Sequence, residues 1–343
     1  MNFLHLTHSI DLHNGGVSKA VIDLSSMLQQ LGASSTISKN PNEAFFGNTI
    51  IAHGLWQWPG VVAHQNWQKM QTPYIVFPHG MLDPWFKKTY PLKHIKKQLY
   101  WWWRQGKILK NARAVCFTTE EERQLAQNTF WPYRCNEVVT GLGVLPPPGS
   151  TEKQKAVFQK YFPVTKDKNC LLYMGRIHPK KGLDLLLHSF SQIHNRKALL
   201  VIAAPIDPKD KYYKRLRHQS KDLGDKVLWT GMLEDDLKWG ALRTAEALIL
   251  PSHQENYGMV VAEACSVGTP VLTSEKVNLY REIIEYDAGL TEMDTQIGTD
   301  KLVAQWINGN VQTKAANALR CFREKLHISR TAEKIVNVIK NQP

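Results

Sequence analysis

No stretch of this 343-residue chain approaches the ~18 apolar residues that a membrane-spanning helix needs. Met1 to Ile10 lacks the basic start and small-residue cleavage site of a signal peptide and reads as a strand. Cysteine is scarce: Cys116, Cys135, Cys170, Cys265 and Cys321 are odd in number, widely spaced and without a C-x-x-C pair. That argues against a disulfide frame and a zinc site, and fits a reducing cytoplasm. Acidic residues are outnumbered, which leaves a net charge of +13 and points to an anionic partner. No zinc-finger, RRM or homeodomain pattern accompanies that charge, so nucleic acid is not the expected partner.

What is present is a repeated rhythm of short apolar strand, polar loop and helix. Residues 2–10 read as a strand, and the loop that follows is closed by Gly15 and Gly16. Val17, Ala20, Val21, Leu24, Met27, Leu28 and Leu31 then mark one face of a helix that stops at Gly32. Further strands are predicted at 49–52, 74–77, 114–118 and 137–140. The first two run into His53-Gly54 and Pro78-His79-Gly80-Met81. Pro146-Pro147-Pro148-Gly149 is the clearest linker, stiff and without ladder donors. Beyond it strands are predicted at 170–174, 199–203, 226–230, 247–250 and 270–274. The expectation is an α/β chain of two doubly wound, Rossmann-like domains, 1–148 and 149–329.

The stretch from Leu248 to Pro270 carries the most chemistry. A buried strand stops at Pro251, a polar loop runs from Ser252 to Asn256, and the spacing predicts a helix over 257–267. A helix start offers free N–H groups and the positive end of a dipole to an anion. Glu255 and Glu263 bracket that start, and carboxylates accept hydrogen bonds from sugar hydroxyls. The pattern therefore suits a nucleotide sugar, although an ordinary surface loop before an amphipathic helix fits the spacing as well. Upstream, Gly175-Arg176-Ile177-His178-Pro179-Lys180-Lys181-Gly182 places a planar guanidinium and a point charge near another helix start.

Pro251-Ser252 through Glu263 to Gly268-Thr269-Pro270-Val271 resembles the E-x7-E signature of glycosyltransferase family 4, the retaining GT-B enzymes, whose two domains face each other across a cleft. The resemblance implies that Glu255 contacts the donor sugar, that Glu263 contacts the nucleotide ribose, and that the amides of Tyr257, Gly258 and Met259 face sugar and diphosphate. It likewise implies a diphosphate clamp at Arg176 and Lys181, a catalytic-centre histidine at His79, a phosphate-facing loop at Gly15 and Gly16, and a terminal helix, roughly 330–343, that returns to the first domain. Gly141-Leu142-Gly143 departs from the family's usual Pro-Asn-Gly-Val turn. The expected reaction is transfer of a sugar from a nucleotide sugar to a saccharide or lipid-linked acceptor hydroxyl. With no Asp-x-Asp pair, Glu234 and Asp236 being nearest, neither an essential metal nor a cofactor is expected. A sugar-nucleotide epimerase and a non-catalytic basic binding module remain alternatives.

Residues 84–119 contain no Asp or Glu but nine Lys or Arg, interleaved with Trp85, Phe86, Tyr90, Tyr100, Trp101, Trp102 and Trp103. Leu92, Ile95, Leu99, Trp102 and Trp103 share one helical face. Two readings stay open: a core-facing helix with a solvated basic side, or a segment lying on the anionic inner face of the plasma membrane.

Overall fold

A computed structural model describes residues 1–11, 16–41 and 49–340. The chain divides into two compact units, Met1–Leu145 with Leu326–Pro343, and Pro146–Lys325. The unit boundary lies just ahead of the proline linker's 148/149 position, because Leu145 still packs in the first core.

In the first unit β1 (Asn2–Leu6), β2 (Ser34–Ser38), β3 (Thr49–His53), β4 (Tyr74–Phe77), β5 (Ala114–Phe117) and β6 (Glu137–Val139) form one parallel sheet in the order β2-β1-β3-β4-β5-β6. Every residue of β3, β4 and β5 is buried, as expected where helices cover both faces of a parallel sheet. Period-two alternation sorts their side chains. Ile50, Ala52, Tyr74, Val76, Val115 and Phe117 join one core cluster, and Ile51, Ile75, Phe77, Ala114 and Cys116 the other.

The second cluster is closed by helix Ile328–Lys340, whose Ile328, Ala332 and Ile335 recur at helical spacing on its buried side. Arg113 donates to the carbonyls of Val338 (2.9 Å) and Ile339 (2.6 Å), a cation on the negative end of that helix. The Gly141-Leu142-Gly143 run now has a structural account. A Cβ on Gly143 would sit 2.5 Å from the Ile328 Cα, so glycine lets this turn meet the start of the terminal helix.

The second unit repeats the plan with β7 (Asn169–Met174), β8 (Ala198–Ala203), β9 (Val227–Gly231), β10 (Ala247–Leu250), β11 (Val271–Ser274) and β12 (Gly289–Glu292), in the order β12-β11-β10-β7-β8-β9. The order reverses between β7 and β10. The carboxyl ends of those two strands are the usual seat of a ligand in such sheets.

The core-facing reading of the basic aromatic segment is corrected. Helix Pro91–Tyr100 buries no residue, and Leu92 is 77% exposed. A π turn, Trp101–Gln105, follows, and of its three tryptophans only Trp101 enters the core, donating to the Pro132 carbonyl at 2.9 Å. The apolar face shared by Leu92, Ile95, Leu99, Trp102 and Trp103 is presented to solvent.

Candidate active site

At the β7/β10 switch point the two loops lock onto each other. The β7 loop makes a tight turn at Pro179–Lys181 and passes through Gly182, at φ +66°, into helix Leu183–Ser191. A Cβ on Gly182 would stand 2.1 Å from the Pro251 carbonyl oxygen, so only glycine allows this approach. His253 N–H donates to the Lys180 carbonyl at 2.8 Å, and the Lys180 ammonium donates to the Gln254 side chain at 3.2 Å. Gly182→Ala is expected to cost about 1–3 kcal/mol in backbone strain alone. It should also separate the two loops, giving a lower melting temperature together with lost nucleotide affinity. An unchanged melting temperature would remove the claim that this contact holds the site.

Behind that contact the Lys181 ammonium forms an ion pair with the Glu255 carboxylate. Glu255 is held from the other side: its N–H donates to the Lys276 carbonyl at 2.9 Å, and its carbonyl accepts from Asn278 N–H at 3.0 Å. Burial and the charges of Lys180 and Arg176 push Lys181 down to about 7, while the Glu255 carboxylate against it pulls the other way. Arg176 is exposed, within electrostatic range of Lys181.

Helix Met259–Ser266 begins directly after this pair. Its first turn is ordered by Gly258 in the left-handed region, φ +72°, and no side chain caps it. Tyr257, expected within the helix, is a buried loop residue instead; the helix starts at Met259. Glu263 projects from its second turn but is buried, with its carboxylate 2.6 Å from the Lys238 ammonium. Lys238 comes from helix Asp235–Thr244 and nothing in the sequence pattern marks it. Any ribose hydroxyl reaching Glu263 shares its carboxylate with this lysine.

His79 lies in the first unit and is one of three stacked imidazoles there. His5 Nδ1 and His53 Nε2 are 2.9 Å apart, and His53 Nδ1 and His79 Nε2 are 3.0 Å apart. Adjacent rings lie 5.2 and 5.3 Å centre to centre. They come together because β1, β3 and β4 are neighbours in the sheet. Burial lowers His5 to about 3, lowers His79 to about 4, and lowers His53 well below the usual range with help from its two neighbours. The chain is therefore neutral, and its protons have two concerted arrangements. In one the outer atom, His79 Nδ1, is an acceptor; in the other it is a donor. His79 Nδ1 is buried without a hydrogen-bond partner among the described residues. His79 itself sits at φ +50°, followed by Gly80 at +77°. This left-handed pair is fixed by Gly80 N–H donating to Glu122 at 2.5 Å. Such strain concentrates where a side chain must be aimed.

Gly15 lies outside the described residues, and Gly16 is the exposed first residue of helix Gly16–Gln30. Among the described residues no group of three His, Cys, Asp or Glu side chains is arranged to hold a metal ion. Asp236 is engaged by Lys153 at 3.2 Å and Gln154 at 3.1 Å.

The family described as Glycosyl transferases group 1 matches residues 154–308, and that described as Glycosyl transferase 4-like domain matches residues 48–140. Each match covers less than half of the chain; together they place glycosyltransferase domains in both units. An uncharacterised glycosyltransferase of Methanocaldococcus jannaschii is 29% identical over 195 residues, 55% of this chain and 49% of that protein. Lipopolysaccharide 1,2-N-acetylglucosaminetransferase of Salmonella typhimurium is 29% identical over 130 residues, 36% of this chain and 34% of that one. The chain thus spans about half or less of the length of these curated relatives. Among solved structures, sucrose-phosphate synthase from Thermosynechococcus elongatus superposes with a TM-score of 0.76 at 17% identity, covering 98% of both chains. Anabaena HepE in complex with UDP and glucose superposes with a TM-score of 0.76 at 14% identity over the whole of both chains. At these identities the superpositions speak to fold. The group 1 match falls on the unit that carries Lys181, Glu255 and Lys238.

Proposed function

We propose that this glycosyltransferase moves a sugar from a nucleoside diphosphate sugar to an acceptor hydroxyl with retention of configuration, as a family 4 enzyme would. The acceptor belongs to polysaccharide or lipid-linked oligosaccharide assembly. The observation that carries this reading is the Lys181–Glu255 pair at the switch point, beside an uncapped helix start. In the free protein the two charges satisfy each other. An incoming diphosphate takes the ammonium and a sugar hydroxyl takes the carboxylate, so one ligand replaces both halves of the pair. As the bond to the leaving diphosphate breaks, its oxygens gain charge, which Lys181, Arg176 and the amides at the start of helix Met259–Ser266 stabilise where it develops. Glu255 orients the sugar and His79 works at the reacting centre. Site and reaction are cytoplasmic, and the exposed apolar face of helix Pro91–Tyr100 with its flanking lysines supports adsorption to an anionic inner leaflet.

Because solved relatives hold UDP and UDP-glucose, UDP is the first nucleotide to test. Arg176→Ala should weaken UDP by about 1.5–3 kcal/mol, the worth of a charge-assisted hydrogen bond, while leaving uridine unchanged. Calorimetry with both ligands checks this, and equal losses would place Arg176 away from phosphate. For the reaction itself, incubation with donor and acceptor should release nucleoside diphosphate. Release of an epimerised donor without acceptor would replace transfer by epimerisation.

A further inference from the structure

The loop that follows His79 opens onto a cavity of about 230 Å³ lying wholly in the first unit. Met81, Phe86, Tyr90 and Phe130 form its apolar walls, and Lys93, His94 and Lys97 bring basic groups to it from helix Pro91–Tyr100. The 80–83 loop beneath is fixed by Glu122 on the Gly80 amide and by the Thr129 hydroxyl donating to the Leu82 carbonyl. Asp83 is the lining carboxylate, and its Oδ1 accepts the Trp85 N–H at 2.7 Å.

The two lysines are unusual in what neutralises them. Among the described residues neither forms an ion pair. Lys97 Nζ lies 4.8 Å from the Trp56 ring centre and 5.9 Å from that of Phe86, while Lys93 Nζ lies 4.9 Å from Tyr90. Lys97 is half-buried, and its pKa is lowered by burial and by Lys93; His94 is lowered by burial, Lys87 and Lys97. Aromatic faces give a cation only part of what a carboxylate gives. A half-buried cation among like charges is therefore a standing demand for an anion.

The anion's attachment can also be read. The cavity is smaller than the ~300–1,000 Å³ typical of small-molecule sites, so it holds a head group rather than a whole ligand. Its walls are aromatic or thioether, and the same helix carries exposed Leu92, Ile95 and Leu99. A free sugar phosphate would have hydroxyls facing those walls without partners. An apolar chain would cover them.

We propose that this cavity binds the phosphate or diphosphate of an acceptor carried on a long apolar alcohol, with Lys93 and Lys97 on the phosphate and Met81, Phe86, Tyr90 and Phe130 on the first carbons of the chain. It deepens the glycosyltransferase reading by giving the acceptor class, and it rests on that reading only for the word acceptor. Binding is therefore measured without donor, so that its failure is separable from failure of the transfer reaction. The probe is geranyl diphosphate, short enough to stay monomeric, titrated calorimetrically against the full chain. It should bind at least about tenfold more tightly than inorganic pyrophosphate or geraniol. Lys93→Met with Lys97→Met should weaken it about tenfold or more. Lys93→Arg with Lys97→Arg should retain it. Excess UDP, which fills the site of Arg176 and Lys181, should leave it unchanged, and that separates this cavity from the nucleotide site. Thermal melts check that the methionine variant stays folded, as expected for changes on a helix that buries nothing. Equal affinity for pyrophosphate or geraniol, unchanged affinity in the methionine variant, or displacement of the probe by UDP would each overturn the proposal.

Discussion

Glu255→Gln is expected to lower kcat by about 10²-fold or more, the cost of a misplaced reacting sugar, while leaving UDP affinity near wild type at mildly acidic pH. The argument lies in the ion pair. UDP binding to the wild type must part Glu255 from Lys181, whereas the amide holds no charge against the ammonium. The same change removes the group that keeps Lys181 protonated. Burial, Lys180 and Arg176 lower its pKa to about 7 even with the carboxylate beside it, and in the variant nothing in the free site opposes them. A bound diphosphate restores the opposing charge, so UDP binding by the variant should take up a proton. Its affinity should then fall as pH rises toward and beyond about 7, with a steeper slope than the wild type shows. Calorimetry in two buffers of different ionisation enthalpy measures that proton directly. If UDP affinity falls as far as kcat at every pH, Glu255 is a nucleotide ligand and the assignment to the sugar fails.

The sheet centres were legible in the sequence because strands buried on both faces read as continuous apolar runs, as in Tyr74–Phe77 and Ala247–Leu250. The edges were not. Ser34–Ser38, Ser-Ser-Thr-Ile-Ser, is strand only because its backbone pairs in register with β1, and Gly289–Glu292 only because it pairs with β11. The acid-free segment shows the limit of periodicity, which finds an apolar face but not what covers it. At the site, residue types and loop positions were readable, while pairings were not. Lys181 and Glu255 lie far apart in the chain and meet because β7 and β10 are adjacent strands. Lys238 was invisible for the same reason, since its partner Glu263 is set by how two helices pack. His5 was likewise unremarkable, and His53 marked only by its place at a strand end, until the strand order placed them in line with His79.

That line of histidines should make the first unit acid-labile well above the pH at which carboxylates titrate. Each imidazole has a folded-state pKa below its ordinary value of about 6.5, because burial opposes its charge. The unfolded chain therefore binds up to three protons that the folded unit refuses. The stability tied to this difference is complete above about pH 6.5 and declines as pH falls toward the folded values of about 4 for His79 and 3 for His5. One proton is worth about 1.4 kcal/mol per pH unit, so three give a slope near 4 kcal/mol per unit between about pH 6 and 4. Denaturant melts at stepped pH, followed by hydrogen exchange at β1, β3 and β4, should show this unit unfolding first. His53→Phe keeps a ring stacked on Phe77 but strands His5 Nδ1 and His79 Nε2, each a buried polar atom worth about 1–3 kcal/mol when unpaired. Stability at pH 7 should fall by about 2–6 kcal/mol for the two atoms, and the acid slope should lose one proton. His79, freed to choose its tautomer, should lower kcat with little change in UDP affinity. A variant that keeps the wild-type slope would mean that His53 already takes up its proton in the folded unit, and the neutral chain would have to be abandoned.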